Sequence, residues 1–263
     1  MFITSTIYRN LRFSIEFFKK ADIIIIDYLG GDYVIGIIGA MDIEVDGFKN
    51  HMQNLTIQKH AFFEFAHGLI HNEEVVVVMC GIGKVSAAIC TQLMIDKYNP
   101  DVIINTGVAG GLDKNLSIGD IAVATSVVQH DIDTTIFGDP KGYITNLALT
   151  KIPVDDKISD ILKKCAQTCE NTSVICGTIA SGDQFISTPY QKNQIIDEFD
   201  AVAAEMEGGA MGHVCYANGI KFGVIRAISD NASGDALMDY ETFKVMAAEK
   251  TIKIVIDFIK EYI

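Results

Sequence analysis

The sequence predicts a one-domain α/β protein, and three observations carry that expectation. From Tyr33 onward short apolar runs, separated by Gly-rich turns, alternate with longer segments of helical period. No Pro/Gly/Ser-rich linker or composition break divides the 263 residues, a length that one large domain can absorb. Hydrophobic residues make up 49% of the chain and charged residues 21%, with a mean hydropathy of +0.26, enough apolar material for a large core.

The elements follow from these patterns. Buried strands are expected at Tyr33–Gly39, Val75–Cys80, Val102–Thr106, Ile121–Val128, Val174–Ala180 and Phe222–Ile228. Between the second and third, Lys84–Tyr98 places Val85, Ala88, Ile89 and Leu93 on one helical face and stops at Asn99-Pro100. Pro189–Phe199 opens with Pro after Thr188, a favourable pair for a helix start. Met206–Asn218 is small and apolar on several sides, so it predicts a buried helix closed by Gly219. The last helix is expected from about Asp239 to Ile263, with Phe243, Met246, Ile252, Val255, Ile256 and Ile259 facing the core.

Charge and cysteine content exclude several function classes. The formal net charge of −13 disfavours nucleic acid, which needs a concentrated Lys/Arg face. Only three arginines exist, Arg9, Arg12 and Arg226. The six cysteines include no C-x-x-C pair and sit mostly among apolar neighbours, which fits a reducing cytoplasm. Cys165 and Cys169 are spaced i,i+4, yet no neighbouring ligands complete a zinc set, so no metal is expected. Residues 1–33 set Arg9, Arg12, Lys19 and Lys20 among Phe13, Ile15, Phe17 and Phe18, followed by Ile23 to Ile26. That run is too short and too charged for a secretory signal or a membrane span. Residues 1–33 are therefore expected to be a non-catalytic extension and residues 34–263 the working domain, with no membrane partner.

The residues that carry chemistry cluster after the strands, where functional groups of open α/β sheets gather. The first strand ends in GIIGAMDIE, residues 36–44, whose glycines do not fit a dinucleotide fingerprint and which delivers Met41 and Glu44 to the sheet edge. The turn Cys80-Gly81-Ile82-Gly83-Lys84 offers amides and a lysine to a phosphate, but lacks Walker spacing and equally serves a tight strand-to-helix connection. The third strand runs into INTGVAGG, residues 104–111, small enough to let a ligand approach the backbone. SGDQFI, residues 181–186, presents Phe185 beside a free backbone edge, suited to stacking and hydrogen-bonding a base. Glu205-Met206-Glu207 lies where an apolar strand meets an apolar helix, so at least one carboxylate is drawn into low dielectric. Finally, RAISD, residues 226–230, puts Arg226 and Asp230 at alternate strand positions, with a structural Arg–Asp ion pair as the simplest use.

These six motifs, in order and spacing, resemble the bacterial methylthioadenosine/S-adenosylhomocysteine nucleosidases of the nucleoside phosphorylase superfamily over about Val34 to Ile263. The resemblance implies a three-layer α/β/α fold with a central mixed sheet, assembled as a homodimer and needing no cofactor. It implies that Asp230 protonates adenine N7, Glu44 activates water, and Glu207 holds the ribose hydroxyls. Phe185 would stack on adenine, the Ile186 backbone would read the base edge, and Met206 would lie under the ribose. Met41, Ile82 and Tyr240 would line the thioalkyl pocket, with Phe137 contributed by the partner subunit. Arg226 and Ser229, of the RAISD motif, complete the expected site. Two departures stand out: Val108 replaces a common Ser in the NTG-S-AGG turn, and Tyr240 replaces a frequent Phe.

The chemistry suits the residues. Breaking a glycosidic bond builds positive charge on the ribose and negative charge on the base, so one acid protonates the base while another carboxylate prepares water. Asp230 therefore needs a raised pKa, whereas Glu44 must stay ionised through Arg226 or polar groups. A purine nucleoside phosphorylase on the same scaffold is the alternative enzyme; it needs convergent cations, and the domain owns one arginine. A non-catalytic nucleoside sensor is the alternative outside enzymes, disfavoured by the presence of both Glu44 and Asp230. The expected substrates are methylthioadenosine and S-adenosylhomocysteine, with 5′-deoxyadenosine also expected; the sequence does not rank these three and aminodeoxyfutalosine against one another.

Overall fold

A computed structural model describes residues 17–19, 22–24, 33–232 and 236–263. Most of residues 1–33, and with them the expected role of that stretch, lie outside the described residues. Within it, β1 (Phe17–Lys19) and β2 (Asp22–Ile24) pair antiparallel as a separate two-stranded unit. The other strands form one sheet: β3 (Val34–Gly39), β4 (Gln53–His60), β5 (Phe63–Ile70), β6 (Glu73–Met79), β7 (Val102–Gly111), β8 (Ile121–Gln129), β9 (Lys151–Pro153), β10 (Val174–Ser181), β11 (Ala201–Glu205) and β12 (Lys221–Asp230).

The sheet order is β11-β10-β8-β12-β7-β3-β6-β5-β4, with β9 beside β8. The run β12-β7-β3-β6 is parallel, whereas β8 pairs antiparallel with β12 and β5 antiparallel with β6, so the sheet is mixed. The far end of β7 bends to pair with β11 through Ala203↔Gly111 and Ala204↔Gly110. This second pairing brings the carboxyl ends of β7 and β11 against each other.

Helices cover both faces. α2 (Lys84–Tyr98) and α5 (Gly208–Asn218) bury Ala87, Cys90, Met94, Met211 and Cys215 in one core with Val76, Val78, Ile103 and Val224. On the other face α1 (Asp42–Lys49), α3 (Asp156–Ala166) and α6 (Ala236–Tyr262) bury Val45, Phe48, Ile158, Leu162 and Phe258 with Ile35, Ile37, Ile104 and Ile225. Each fully buried Val, Ile, Leu, Phe or Met side chain among these stabilises the fold by about 1.5–3 kcal/mol. The architecture is thus three-layered α/β/α. α4 (Pro189–Phe199) closes the β10–β11 end through Ile195 and Phe199.

Local signals explain most boundaries. α2 ends at Asn99 in the left-handed conformation just before Pro100, and α5 ends at Gly219 with φ of 68°. Thr188 caps α4 by accepting from Gln191 N at 3.3 Å, with Pro189 in the first turn. Three expectations are corrected. β7 continues to Gly111 instead of stopping at Thr106, because its glycines sustain pairing with β12 and β11. α5 begins at Gly208, two residues after Met206, since the Glu205 carboxylate accepts from Glu207 N and Gly208 N and holds a turn there. α6 begins at Ala236, not near Asp239. Among the described helices, none is long and apolar enough to cross a membrane.

Candidate active site

The ends of β3, β7, β11 and β12 converge on a cavity of about 290 Å³. Its lining contains nearly every residue singled out above: Met41, Glu44, Ile82, Val108, Phe185, Ile186, Met206, Glu207, Ser229, Asp230 and Tyr240. Arg226 and Phe137 are not among its lining residues.

Glu44 sits in the first turn of α1, and a carboxylate there is normally solvated near the helix dipole. Here it is 3% exposed and buried beneath β7. Three amides hold it: Ala40 N at 2.7 Å and Met41 N at 2.9 Å donate to Oε2, and Val108 N at 3.0 Å donates to Oε1. Burial pushes its pKa above the ordinary carboxylate value, against the opposing pull of the Arg226 charge and the three amides. Gly107 makes this geometry feasible, since a methyl group at that position would collide with Glu44 Oε1 and lie 2.8 Å from its Cδ. The polar contacts expected for Glu44 are therefore backbone amides, and Arg226 acts on it only through its charge.

Asp230 ends β12 and is 2% exposed. Its Oδ1 accepts from Ala232 N at 2.8 Å, and the Ser229 hydroxyl lies 3.0 Å from Oδ2. Burial raises its pKa, with the Ala232 and Ser229 hydrogen bonds opposing. The Arg226–Asp230 ion pair does not form. The β12–β7 register slips between Ile228 and Asp230, so alternation fails at Ser229, and Arg226 instead joins Glu205 and Asn105.

Arg226 is 1% exposed, its Nη2 donating to Glu205 Oε2 and Asn105 Oδ1 and its Nη1 to Ile225 O at 3.0 Å. Glu207, at the head of α5, accepts from Gly83 N at 2.9 Å. Burial, followed by the neighbouring Glu205 charge, pushes Glu207 up to about 8. Two more carboxylates share its surroundings, and the one guanidinium of Arg226 faces all three.

The GIGK turn serves geometry more than anion binding. Its Gly83 amide goes to Glu207, while Lys84 Nζ is taken by Asp131 at 2.5 Å and Gln129 at 3.2 Å. Asp183 accepts from Lys84 N at 2.8 Å and its own amide donates to Asp131 at 2.9 Å, which ties the SGDQFI loop to α2. Phe185 lies at the cavity, 42% exposed, with its ring edge-on to Tyr240 at 5.7 Å between centroids. The Tyr240 hydroxyl contacts Met41 Sδ at 3.0 Å. Phe137 ends a single 3-10 turn, Thr135–Phe137, and is 83% exposed on its own chain.

Sequence reasoning missed Glu205 as an individual site residue, and also Gln184 and Leu237, which line the cavity. A signal for Glu205 existed, because a glutamate closing the all-apolar strand AVAAE requires a buried partner and Arg226 is the only arginine of the domain.

A mixed sheet between two helical layers, with buried carboxyls gathered where β3, β7, β11 and β12 end, defines an α/β protein equipped for acid–base chemistry in one cavity. Residues 34–260 match the Phosphorylase superfamily. The 5′-methylthioadenosine/S-adenosylhomocysteine nucleosidase of Shewanella halifaxensis is 40% identical over 228 residues, covering 86% of this chain and 99% of the relative. The Neisseria meningitidis nucleosidase of the same name, solved with methylthio-immucillin-A, superimposes with a TM-score of 0.84 at 32% identity, covering 87% of this chain and 99% of that one. The futalosine hydrolase of Helicobacter pylori gives 0.83 at 33% identity, covering 87% and 98%. The chain belongs to the phosphorylase superfamily and, within it, to the 5′-methylthioadenosine/S-adenosylhomocysteine nucleosidase family.

Proposed function

We propose that this protein hydrolyses the N-glycosidic bond of 5′-methylthioadenosine and S-adenosylhomocysteine, releasing adenine and the thioribose. The observation that carries the reading is the placement of two buried carboxyls along β7. Gly107 lies against Glu44, and Gly110 lies against Asp230, where an added methyl group would be 3.0 Å from Oδ1. Both carboxyls line the same cavity of about 290 Å³, which supplies one site with an acid and a base.

In this reading Asp230, its proton affinity raised by burial, delivers a proton to adenine N7 as the bond to the ribose breaks. The Ala232 amide fixes one oxygen, leaving Oδ2 and the Ser229 hydroxyl toward the base. Glu44, aimed by three amides, takes a proton from water. Its raised proton affinity makes it a stronger base than an exposed glutamate. Glu207 engages the ribose hydroxyls beside the developing oxocarbenium-like charge. Phe185 stacks on adenine and the Ile186 backbone reads its edge, while Met206 packs under the ribose. Met41, Ile82 and Tyr240 receive the 5′ substituent.

Water is favoured over phosphate as nucleophile because the nearby cations are already committed. Arg226 is bound to Glu205 and Asn105, Lys84 to Asp131, and Lys192 to the carbonyls of Gly111 and Asn231. A phosphate would also face the Glu44 carboxyl. Residues 34–263 form the catalytic unit in this reading, and a homodimer supplies the exposed Phe137 to the partner's 5′ pocket. Action in the cytoplasm and turnover of 5′-deoxyadenosine belong to the same proposal. Adenine release by the purified protein from methylthioadenosine, S-adenosylhomocysteine, 5′-deoxyadenosine and aminodeoxyfutalosine, compared as kcat/KM, tests it. The expected outcome is turnover of the first two, and absence of adenine release from either rejects the reading.

A further inference from the structure

We infer that Glu205 is a positioning residue for this reaction, its carboxylate fixing the Arg226 charge and the Glu207 turn relative to Glu44. The inference rests on the hydrolase reading above and deepens it.

The geometry supports this role from four directions. Glu205 Oε2 accepts from Arg226 Nη2, from Glu207 N at 3.0 Å and from Gly208 N at 2.7 Å. Its Oε1 takes the Ser181 hydroxyl, whose oxygen accepts from Gly209 N at 2.6 Å. One side chain thus holds the entry to α5, the end of β10 and the guanidinium of β12. Glu207 leaves this turn pointing at Gly83 N, so its position follows from Glu205. The same Arg226 Nη2 also donates to Asn105 Oδ1, whose amide donates to Ile38 O at 2.9 Å.

The charge balance gives that placement a chemical consequence. The groups facing the cluster are Glu44 from α1, Glu205 from β11, Glu207 at the head of α5, Arg226 from β12, Tyr240 from α6 and the Cys80 thiol after β6. One cation serves three carboxyls, and it is bonded to Glu205. Among the described residues Glu44 and Glu207 are left without an ion pair, and both have raised proton affinity, which suits groups that act on protons during turnover. An amide at position 205 would keep an acceptor for the α5 amides while releasing the Arg226 charge toward the other two.

The test is the pH profile of kcat/KM on methylthioadenosine for the parent, Glu205→Gln and Glu205→Asp. In Glu205→Gln the acidic limb, set by Glu44 and Glu207, is expected to move down by about 1 pH unit. The alkaline limb, set by Asp230 outside the cluster, stays in place. Glu205→Asp keeps the charge, so its acidic limb stays at the parental position while kcat falls. A Glu205→Gln enzyme with reduced rate and an unmoved acidic limb overturns the inference, leaving Glu205 as a helix cap alone. Where Glu205→Gln does not fold, Glu205→Asp decides: an unmoved limb with lowered kcat supports the inference, and a downward shift overturns it. A parental protein that releases no adenine contradicts the hydrolase reading itself, an outcome distinct from either limb result.

Discussion

Replacing Asp230 by Asn removes one proton and little else, and the structure allows the size of the effect to be worked out. The Asn Oδ1 can keep the 2.8 Å bond from Ala232 N, and its Nδ2 faces the Ser229 hydroxyl, which can accept. Both neutral hydrogen bonds persist, so stability should change by no more than about 1 kcal/mol. No ion pair is lost, because Arg226 is bonded to Glu205 and not to Asp230. An amide cannot deliver a proton to N7, and loss of a general acid lowers rates by about 10²–10⁴-fold, or roughly 3–5 kcal/mol of barrier. Adenine is a poor leaving anion, which places the loss in the upper part of that range. The alkaline limb of the parental profile, which falls as Asp230 loses its proton, should also disappear in the variant. Single-turnover rates on folded Asp230→Asn, paired with equilibrium adenine binding, measure both effects. A kcat within about threefold of the parent, well short of a general-acid effect, would refute the assignment and require another donor.

Other perturbations have equally specific outcomes. Glu44→Gln keeps an acceptor for the three amides but cannot take a proton, so kcat should drop by about 10²–10⁴-fold with adenine affinity retained; stopped adenine-release assays on folded protein check this. Gly107→Ala drives a methyl group into Glu44, and a displacement near 1 Å should lower kcat about 10²-fold while α6 and the core stay folded by circular dichroism. Glu207 binds its proton more tightly when folded, about 8 against an ordinary 4.5, so the substrate-free protein should lose stability as pH rises through that window. Glu207→Gln should make the decline of Tm across that window shallower, and an unchanged slope contradicts the burial argument. Removal of residues 1–32 should leave kcat largely intact, since the cavity lining begins at Ala40.

Much of the site was legible because each motif sits at a strand end where chain geometry leaves few choices. The glycines closing β3 and β7, the SGDQFI loop and RAISD all lie at strand ends, and these segments meet at one cavity. Elements whose burial pattern lacked contrast were not legible. β4 carries polar residues and is exposed along nearly its whole length, so no alternation marked it, and β5 was its unrecognised partner. The Arg226–Asp230 distance could not be read either, because strand periodicity assumes an unbroken register and a slip at Ser229 leaves no composition signature. Choosing among Glu44, Glu205 and Glu207 as the partner of Arg226 required the β7–β11 contact, a long-range pairing that no local pattern encodes.

The central claim is that water attacks the glycosidic carbon in a site where, among the described residues, no cation is left free for phosphate, and product identity tests it most directly. Purified protein should be incubated with methylthioadenosine in phosphate-free buffer and again with added phosphate, with adenine and the sugar product quantified together. The account predicts equal adenine release in both, with free 5-methylthioribose as the sugar. A strict requirement for phosphate, or 5-methylthioribose 1-phosphate as the product, contradicts it.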